Sequence, residues 1–354
     1  MTMTNYRPHT KIGVSAAKVG QPRLLIITPA KDEAKFIERT IESVTAQTIR
    51  PALWVIVDDG SSDRTGEIAD AAAATHPWIK VLHRTPGTAR RVGPGVIEAF
   101  YTGLAEAELS QFDYVCKLDG DLELPHDYFE TLYKRFDADP DLGTASGKAF
   151  IPVGEEFVLE RTGDQFSHGV AKLFRRECFE QIGGFVREVM WDGIDCHRCR
   201  MLGWKAVSYD EPELAIKHLR QMGSSCKSVY HGRLRWGGGQ YFMGTHPLYL
   251  LAITTYRMLE RPWIIGGLMI LAGYFKAVWR KKPRYEDLTF RAYLHQWQLS
   301  ELSRLAFGPL RKLGFQTVAA GHATPAHVAV GSRTHRPIPL AIQASAERRR
   351  GRVG

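Results

Sequence analysis

Two acidic clusters in this chain are placed to do chemistry. Asp119-Gly120-Asp121 sets two carboxylates on one short turn. They repel each other unless a cation sits between them. Hard divalent ions such as Mg²⁺ or Mn²⁺ take oxygen ligands and share their shell with substrate phosphates. The alternative is a solvated Asx turn helped by Gly120. Asp58-Asp59 precedes a Gly60-Ser61-Ser62 turn, where a carboxylate can accept hydrogen bonds from a base or ribose edge. Ser61, Ser62 or Asp63 could instead cap a helix that begins near Thr65. Both roles can hold at once, with Asp63 capping and Asp59 binding. The five cysteines (Cys116, Cys178, Cys196, Cys199, Cys226) show no framework spacing. Cys196 and Cys199 form a CxxC without a second pair to complete a zinc site, so they read as free thiols in a reducing compartment.

The elements around these residues follow from the apolar pattern. Residues 24–28 are an apolar run ending before Pro29, the pattern of a buried parallel strand. Residues 33–47 carry Phe36, Ile37, Ile41 and Val44 at helical spacing. A second buried strand at 53–57 stops at Asp58; a helix at 65–74, a strand at 79–83, a helix at 96–107 and a strand at 114–118 follow. This alternation predicts an α/β fold with right-handed crossovers and a mostly parallel, doubly wound sheet. Ligands bind beyond the carboxyl ends of strands in such sheets. Thr28, Asp58, Asp59, Asp119 and Asp121 all fall at such ends. Beyond Gly143 the pattern loosens, leaving a helix at 191–202 and a strand at 206–209.

Composition narrows the partners. With 354 residues, 44% hydrophobic and 24% charged, the chain is an ordinary globular protein, neither disordered nor polytopic. Its net charge of +9 points to anionic partners. Nucleic acid is set aside, because no aromatic-basic motif supports it. Residues 1–22 lack the apolar core of a signal peptide and read as a disordered N-terminus, which leaves the catalytic part in the cytosol.

Three motifs in order resemble the family 2 glycosyltransferases, which are inverting enzymes of the Rossmann-like GT-A fold. They are Ile27-Thr28-Pro29-Ala30-Lys31-Asp32-Glu33, Val55-Ile56-Val57-Asp58-Asp59-Gly60-Ser61-Ser62-Asp63, and Asp119-Gly120-Asp121. The resemblance covers about residues 23–240. It implies a nucleotide pocket from Thr28, Pro29, Glu33, Asp58 and Asp59, with Asp59 on the base, usually uracil. It also implies that Asp119 and Asp121 hold Mg²⁺ or Mn²⁺ on the donor diphosphate. Asp32 stands where the family usually has Asn, a change that preserves a polar loop. Arg90 or Arg91 takes the place of a Gly-Lys segment that faces the phosphates.

An inverting transfer needs a base to deprotonate the acceptor hydroxyl. The family puts it at a helix start, with Arg six and Gly eleven residues later. Asp192, Arg198 and Gly203 match that spacing, which implies Asp192 as the base. Trp191 replaces the usual Glu, and the family's second Asp falls on Ile194, with Asp195 one place along as a rival base. Gly183-Gly184 resembles the turn lining the donor sugar, or is a plain helix stop. His218 stands where some GT-A enzymes supply a further metal ligand, although a lone His is more often structural. Arg233-Leu234-Arg235-Trp236 is similar to part of a motif in processive members such as cellulose synthases. Gly232 in place of Gln, and the lack of several membrane spans, exclude processive synthesis, so Arg233, Arg235 and Trp236 are read as diphosphate or acceptor contacts.

The remaining sequence predicts a helical, membrane-associating extension at 243–315 and a flexible basic tail at 316–354, after a catalytic domain at 23–242. The apolar segment 263–279 would cover ~25 Å as a helix, against ~30 Å of hydrocarbon. Basic residues at both ends, including Arg280 to Arg284, fit a helix lying in the cytoplasmic leaflet. A single span is the alternative. The expected activity is transfer from a nucleotide-sugar donor, UDP-linked, to an oligosaccharide or lipid-linked acceptor in polysaccharide or glycolipid synthesis. A polyprenyl-phosphate sugar synthase, like dolichol-phosphate mannose synthase, is the alternative; its acceptor is already an anion and needs no strong base.

Overall fold

A computed structural model describes residues 21–85, 93–160, 162–220, 228–260 and 262–312. The expectations for residues 1–20, for the tail at 316–354 and for Arg90 and Arg91 lie outside these residues. The chain begins β1 (Leu24–Ala30), α1 (Ile37–Thr45), β2 (Leu53–Asp58), α2 (Thr65–Thr75), β3 (Ile79–His83), α3 (Pro94–Ala105) and β4 (Tyr114–Leu118). It continues β5 (Leu122–Glu123), α4 (Tyr128–Ala138), β6 (Leu142–Gly147), β7 (Ala149–Val153), β8 (Glu156–Leu159), β9 (Ala171–Arg175), α5 (Arg176–Gln181) and α6 (Trp191–Met201). Then come β10 (Lys205–Tyr209), β11 (Ile216–His218), α7 (Val229–Met243), α8 (Pro247–Met258), α9 (Trp263–Trp279) and α10 (Leu288–Lys312).

The main sheet runs β10-β6-β9-β4-β1-β2-β3. Its pairs are parallel apart from β9, which runs antiparallel between β4 and β6. This is the predicted doubly wound α/β sheet. Successive strand residues feed opposite faces: Leu24, Ile26, Trp54 and Ile56 enter one core, Leu25, Ile27, Val55 and Val57 the other. Burial on both faces explains why these strands are continuously apolar rather than alternating. Each fully buried aliphatic side chain contributes about 1.5–3 kcal/mol relative to exposure.

The loose region beyond Gly143 contains what periodicity did not reveal. A second sheet, β5-β11-β7-β8, is built from strands of two to five residues. Runs that short carry almost no period-2 signal. Its β11 places His218 opposite Leu122.

The helical extension is present, and α9 has the bounds predicted for the apolar segment. No helix among the described residues is long and apolar enough to cross a membrane. A Cβ on Gly237 would stand 1.9 Å from the Ile270 carbonyl oxygen, and one on Gly273 1.9 Å from that of Leu234, so the backbones of α7 and α9 touch. The contact joins α7, which lies before the boundary expected at 242, to α9, which lies after it. Phe290 and Leu294 of α10 fold back onto Ile194 of α6 and Met243 of α7.

Candidate functional site

The carboxyl ends of β1 and β2 form one wall. The Asp59 amide donates to the Ala30 carbonyl at 2.8 Å, which locks the two strand ends together. Asp58 turns inward: its carboxylate accepts the Ser61 amide at 2.9 Å and lies 3.0 Å from His83 Nδ1. Burial pushes Asp58 up, but these hydrogen bonds outweigh it and hold the carboxyl below its ordinary value. Asp59 turns outward, where Arg84 donates to it at 2.6 Å. Asp63 accepts the Thr65 amide at 3.0 Å and the Ala34 amide at 3.0 Å, tying the loop before α1 to the start of α2, whose N-cap residue is Arg64 without a side-chain cap bond. Asp32 adopts φ +53°, a conformation that Asp tolerates. Its carboxylate accepts from the Ser62 amide and hydroxyl, so the polar loop is kept without Asn. The Thr28 side chain faces the core, its hydroxyl accepting from the Trp54 indole at 2.9 Å, while neighbouring Pro29 is half-buried.

The acidic triplet packs directly against this wall. A Cβ on Gly120 would lie 3.7 Å from Thr28, Ala30 and Glu33 side-chain atoms. Asp121 is 2% exposed and sits 3.1 Å from His218 Nε2. Arg220 bridges Asp121 and Glu33, reaching the latter at 2.7 Å. Burial pushes the Asp121 carboxyl up, yet His218 and Arg220 outweigh it and hold the group low. Burial pulls His218 down, and Asp121 more than reverses that, raising the imidazole. Asp119 is paired with the buried Lys117. The two carboxylates are oxygen ligands of the kind Mn²⁺ or Mg²⁺ takes, and here they are paired with cations instead, Asp119 with Lys117 and Asp121 with His218 and Arg220. Among the described residues no three His, Cys, Asp or Glu side chains converge tightly enough to hold an ion alone. Donor phosphate oxygens would have to complete the shell.

Asp192 lies in the first turn of α6 and is exposed. A Cβ on Gly169 would stand 3.0 Å from its Oδ2. The Gly169 carbonyl accepts from Lys117 Nζ at 2.9 Å, and Lys117 also holds Asp119. The Asp119 amide donates to the Val170 carbonyl at 2.8 Å. Asp119 and Asp192 thus meet the same short loop entering β9.

Asp195 faces the other way. It is 1% exposed and accepts from Lys172 Nζ at 2.7 and 2.8 Å. Burial pushes the Lys172 ammonium down, but Asp195 outweighs it and the pKa lies above its ordinary value. The Trp191 ring lies 5.1 Å from Lys117 Nζ and 5.6 Å from Lys172 Nζ. Trp191, in place of the family's usual Glu, offers these ammonium groups a π face. Asp195 supplies the carboxylate that Lys172 needs.

Several residues expected to share the site do not meet. Gly183 and Gly184, at φ +69° and +70°, end α5, and the nearest atoms to added Cβ atoms belong to Arg198, Tyr101 and Phe179. That is the helix-stop reading. Arg233 and Arg235, two apart on α7, leave the helix in different directions. Arg233 lies 4.0 Å from Glu260, whereas Arg235 lines a cleft against α9. Trp236 packs into the α7–α9 cluster under Arg257. Cys196 points to Lys172 and Ser167 while Cys199 meets Cys178 at 3.4 Å, so the CxxC does not converge on a metal. The four described cysteines are free and buried.

Lys117, Lys172, Arg220 and Arg84 were missed. The first two break otherwise apolar strands, Val115-Cys116-Lys117-Leu118 and Ala171-Lys172-Leu173-Phe174. A lone lysine in such a run is the signal that points to a buried charge partner.

The family model described as Glycosyl transferase family 2 matches residues 25–157, which contain both strand-end carboxylate pairs. Over that segment the chain is similar to this family. A beta-monoglucosyldiacylglycerol synthase from Synechocystis sp. is 24% identical over 249 residues, 64% of this chain and 49% of that protein. Glycosyltransferase GlyG from Streptococcus pneumoniae is 26% identical over 208 residues, 51% of this chain and 66% of that protein. The chain thus spans less than two thirds of the length of these curated relatives. A Pyrobaculum calidifontis mannosyltransferase, solved with GDP-Man and Mn²⁺, is 21% identical, covering 86% of each chain at a TM-score of 0.47. The matched segment includes β1, β2, β3, β4 and β6 of the mostly parallel main sheet.

Proposed function

We propose that this chain is an inverting glycosyltransferase that moves a sugar from a nucleoside diphosphate donor, UDP-linked, to a lipid-linked saccharide. The reading rests on one observation above all: Asp192 and Asp119 meet the same Gly169 loop, beside the Asp59 wall. Asp192 takes the proton of the acceptor hydroxyl as its oxygen attacks the anomeric carbon; the bond to the donor phosphate breaks and its electron pair leaves with the diphosphate. Asp119, Asp121 and His218, together with donor phosphate oxygens, would hold a divalent ion, which would supply charge neutralisation for that leaving group. Asp59 faces the pocket and accepts hydrogen bonds from the nucleotide, Glu33 stays with Arg220 beneath it, and Asp58 braces the turn.

The name of the Synechocystis relative, a diacylglycerol glycolipid synthase, supports a lipid-borne acceptor. So does the exposed apolar face of α8 and α9, which includes Leu251, Tyr256, Trp263, Ile264, Phe275 and Trp279. Together with Arg280 to Arg284 it suits in-plane attachment to an acidic cytoplasmic leaflet. We assign residues 23–228 to the catalytic unit and α7 to α10 to the attachment unit.

The test is donor hydrolysis and transfer across a panel of nucleotide sugars with Mn²⁺ or Mg²⁺. Metal-dependent turnover with one donor is expected, and no turnover with any donor would sink the enzyme reading. Asp192→Asn should lower transfer about 10²- to 10⁴-fold while nucleotide binding persists. Full activity in that variant would instead favour an acceptor that is already an anion, as in a polyprenyl-phosphate sugar synthase.

A further inference from the structure

A cleft of about 590 Å³ lies between α7 and α9, outside the carboxylate site. Its charged lining is one-sided. Arg235 comes from α7, Lys276 from α9, and Arg280 and Lys282 from the stretch after it, with the His231 imidazole beside them, against the single lining carboxylate of Glu188. The cleft exists because Gly237 and Gly273 let the two backbones touch, while Gly238 leaves space beside the contact. One end is formed by Glu188 and Val189, and Val189 with Met190 packs on Gly239. Met190 is the residue from which α6, and hence Asp192, begins. On α9 itself the exposed Phe275, Val278 and Trp279 interleave with these cations, Trp279 being 82% exposed.

So strong an excess of cations over carboxylates selects an anion, and phosphate oxygens are the natural partners of Arg and Lys at close quarters. The volume falls in the range of roughly 300–1,000 Å³ typical of organic ligands, far more than a bare phosphate needs. An anionic group with an organic body on one side and an apolar tail on the other matches all three features.

We propose that this cleft seats the phosphate or diphosphate of a lipid-linked acceptor. The saccharide extends past Val189 toward Asp192, and the hydrocarbon leaves across the apolar face of α9. The word acceptor rests on the transferase reading above; the binding of a lipid phosphate does not.

The test uses binding, read by calorimetry on the full chain, with three probes: citronellyl phosphate, inorganic phosphate and citronellol. Saturable binding of citronellyl phosphate is expected, about ten-fold or more tighter than inorganic phosphate, with none for the alcohol. Replacing Lys276 and Arg280 together by Ala should weaken it by about ten-fold or more. Equal binding of inorganic and citronellyl phosphate would overturn the proposal in favour of a simple anion site. So would undiminished binding by a double variant whose circular dichroism matches the wild type. If the variant misfolds, the ranking of the three probes on the wild type decides. UDP binding measured on the same wild-type sample separates the two readings, since its loss would strike the transferase and leave the lipid-phosphate result standing.

Discussion

At the scale of single residues, α6 carries two carboxylates three places apart with opposite fates. Asp192 is exposed beside Gly169, whereas Asp195 is sealed against Lys172. Asp195→Ala should therefore act on stability. It leaves a buried ammonium without its counter-charge, a loss of about 3–5 kcal/mol. Chemical denaturation should show the shift, and an Asp195→Ala protein of wild-type stability with abolished transfer would return the base role to Asp195. His83 gives a second prediction. Its hydrogen bond to Asp58, with a further contribution from Asp70, holds it above its ordinary pKa. The folded state therefore binds the proton more tightly. The resulting stabilisation is complete below the unfolded value of about 6.5 and fades as pH rises through the folded value. The melting temperature of wild type should exceed that of His83→Gln at about pH 5.5 and converge with it near pH 8.5; a constant gap across that range would refute the linkage.

At the scale of elements, backbone contact between α7 and α9 makes a sharp demand. A methyl group at Gly273 would meet the Leu234 carbonyl oxygen at 1.9 Å, and main chain cannot swing aside as a side chain can. Gly273→Ala should cost about 1–3 kcal/mol through forced separation of the helices. A thermal melt unchanged from wild type would show that the two backbones do not touch. How much of this was legible in the sequence depends on element length. β1, β2 and α9 declared themselves because an almost unbroken apolar run has a single economical reading, and β3 and β4 were read from their place in the strand–helix alternation despite Lys80 and Lys117. β9 did not: Lys172 interrupts it and its neighbours in space are distant in sequence. The same holds for the site. Asp58, Asp59, Asp119 and Asp121 could be placed by the strand ends that carry them. That Asp58 turns to Ser61 and His83 while Asp59 meets Arg84, and that Thr28 turns to Trp54, follow from tertiary contacts that no local pattern encodes. Trp191 looked like a defect in a motif, and becomes intelligible only once Lys117 and Lys172, register partners on β4 and β9, are seen close to its ring.

At the scale of the whole molecule, charge and apolar surface coincide. The net charge is +9, and the extension joins exposed Trp263, Ile264, Phe275 and Trp279 to the basic stretch Arg280 to Arg284. An isolated exposed apolar residue needs no explanation, but a continuous apolar helix face bordered by cations does. Its α10 folds back so that Phe290 and Leu294 pack on Ile194, fixing the extension against the helix that carries Asp192. Adsorption to a surface would therefore fix the height of Asp192 above that surface. Two contributions should be separable in co-sedimentation with vesicles. Coulomb attraction to anionic headgroups acts over a Debye length of about 8 Å at physiological salt and about 3 Å at 1 M. Apolar insertion is insensitive to that change. Phosphatidylglycerol vesicles should capture the chain more strongly than phosphatidylcholine vesicles. High salt should remove most of that difference without releasing all of the protein. Replacing Phe275 and Trp279 together by Ser should abolish the salt-resistant fraction, because each aromatic withdraws a large apolar surface from water. Equal capture by the two lipids, or a salt-resistant fraction that survives the double replacement, would place the attachment elsewhere on the chain.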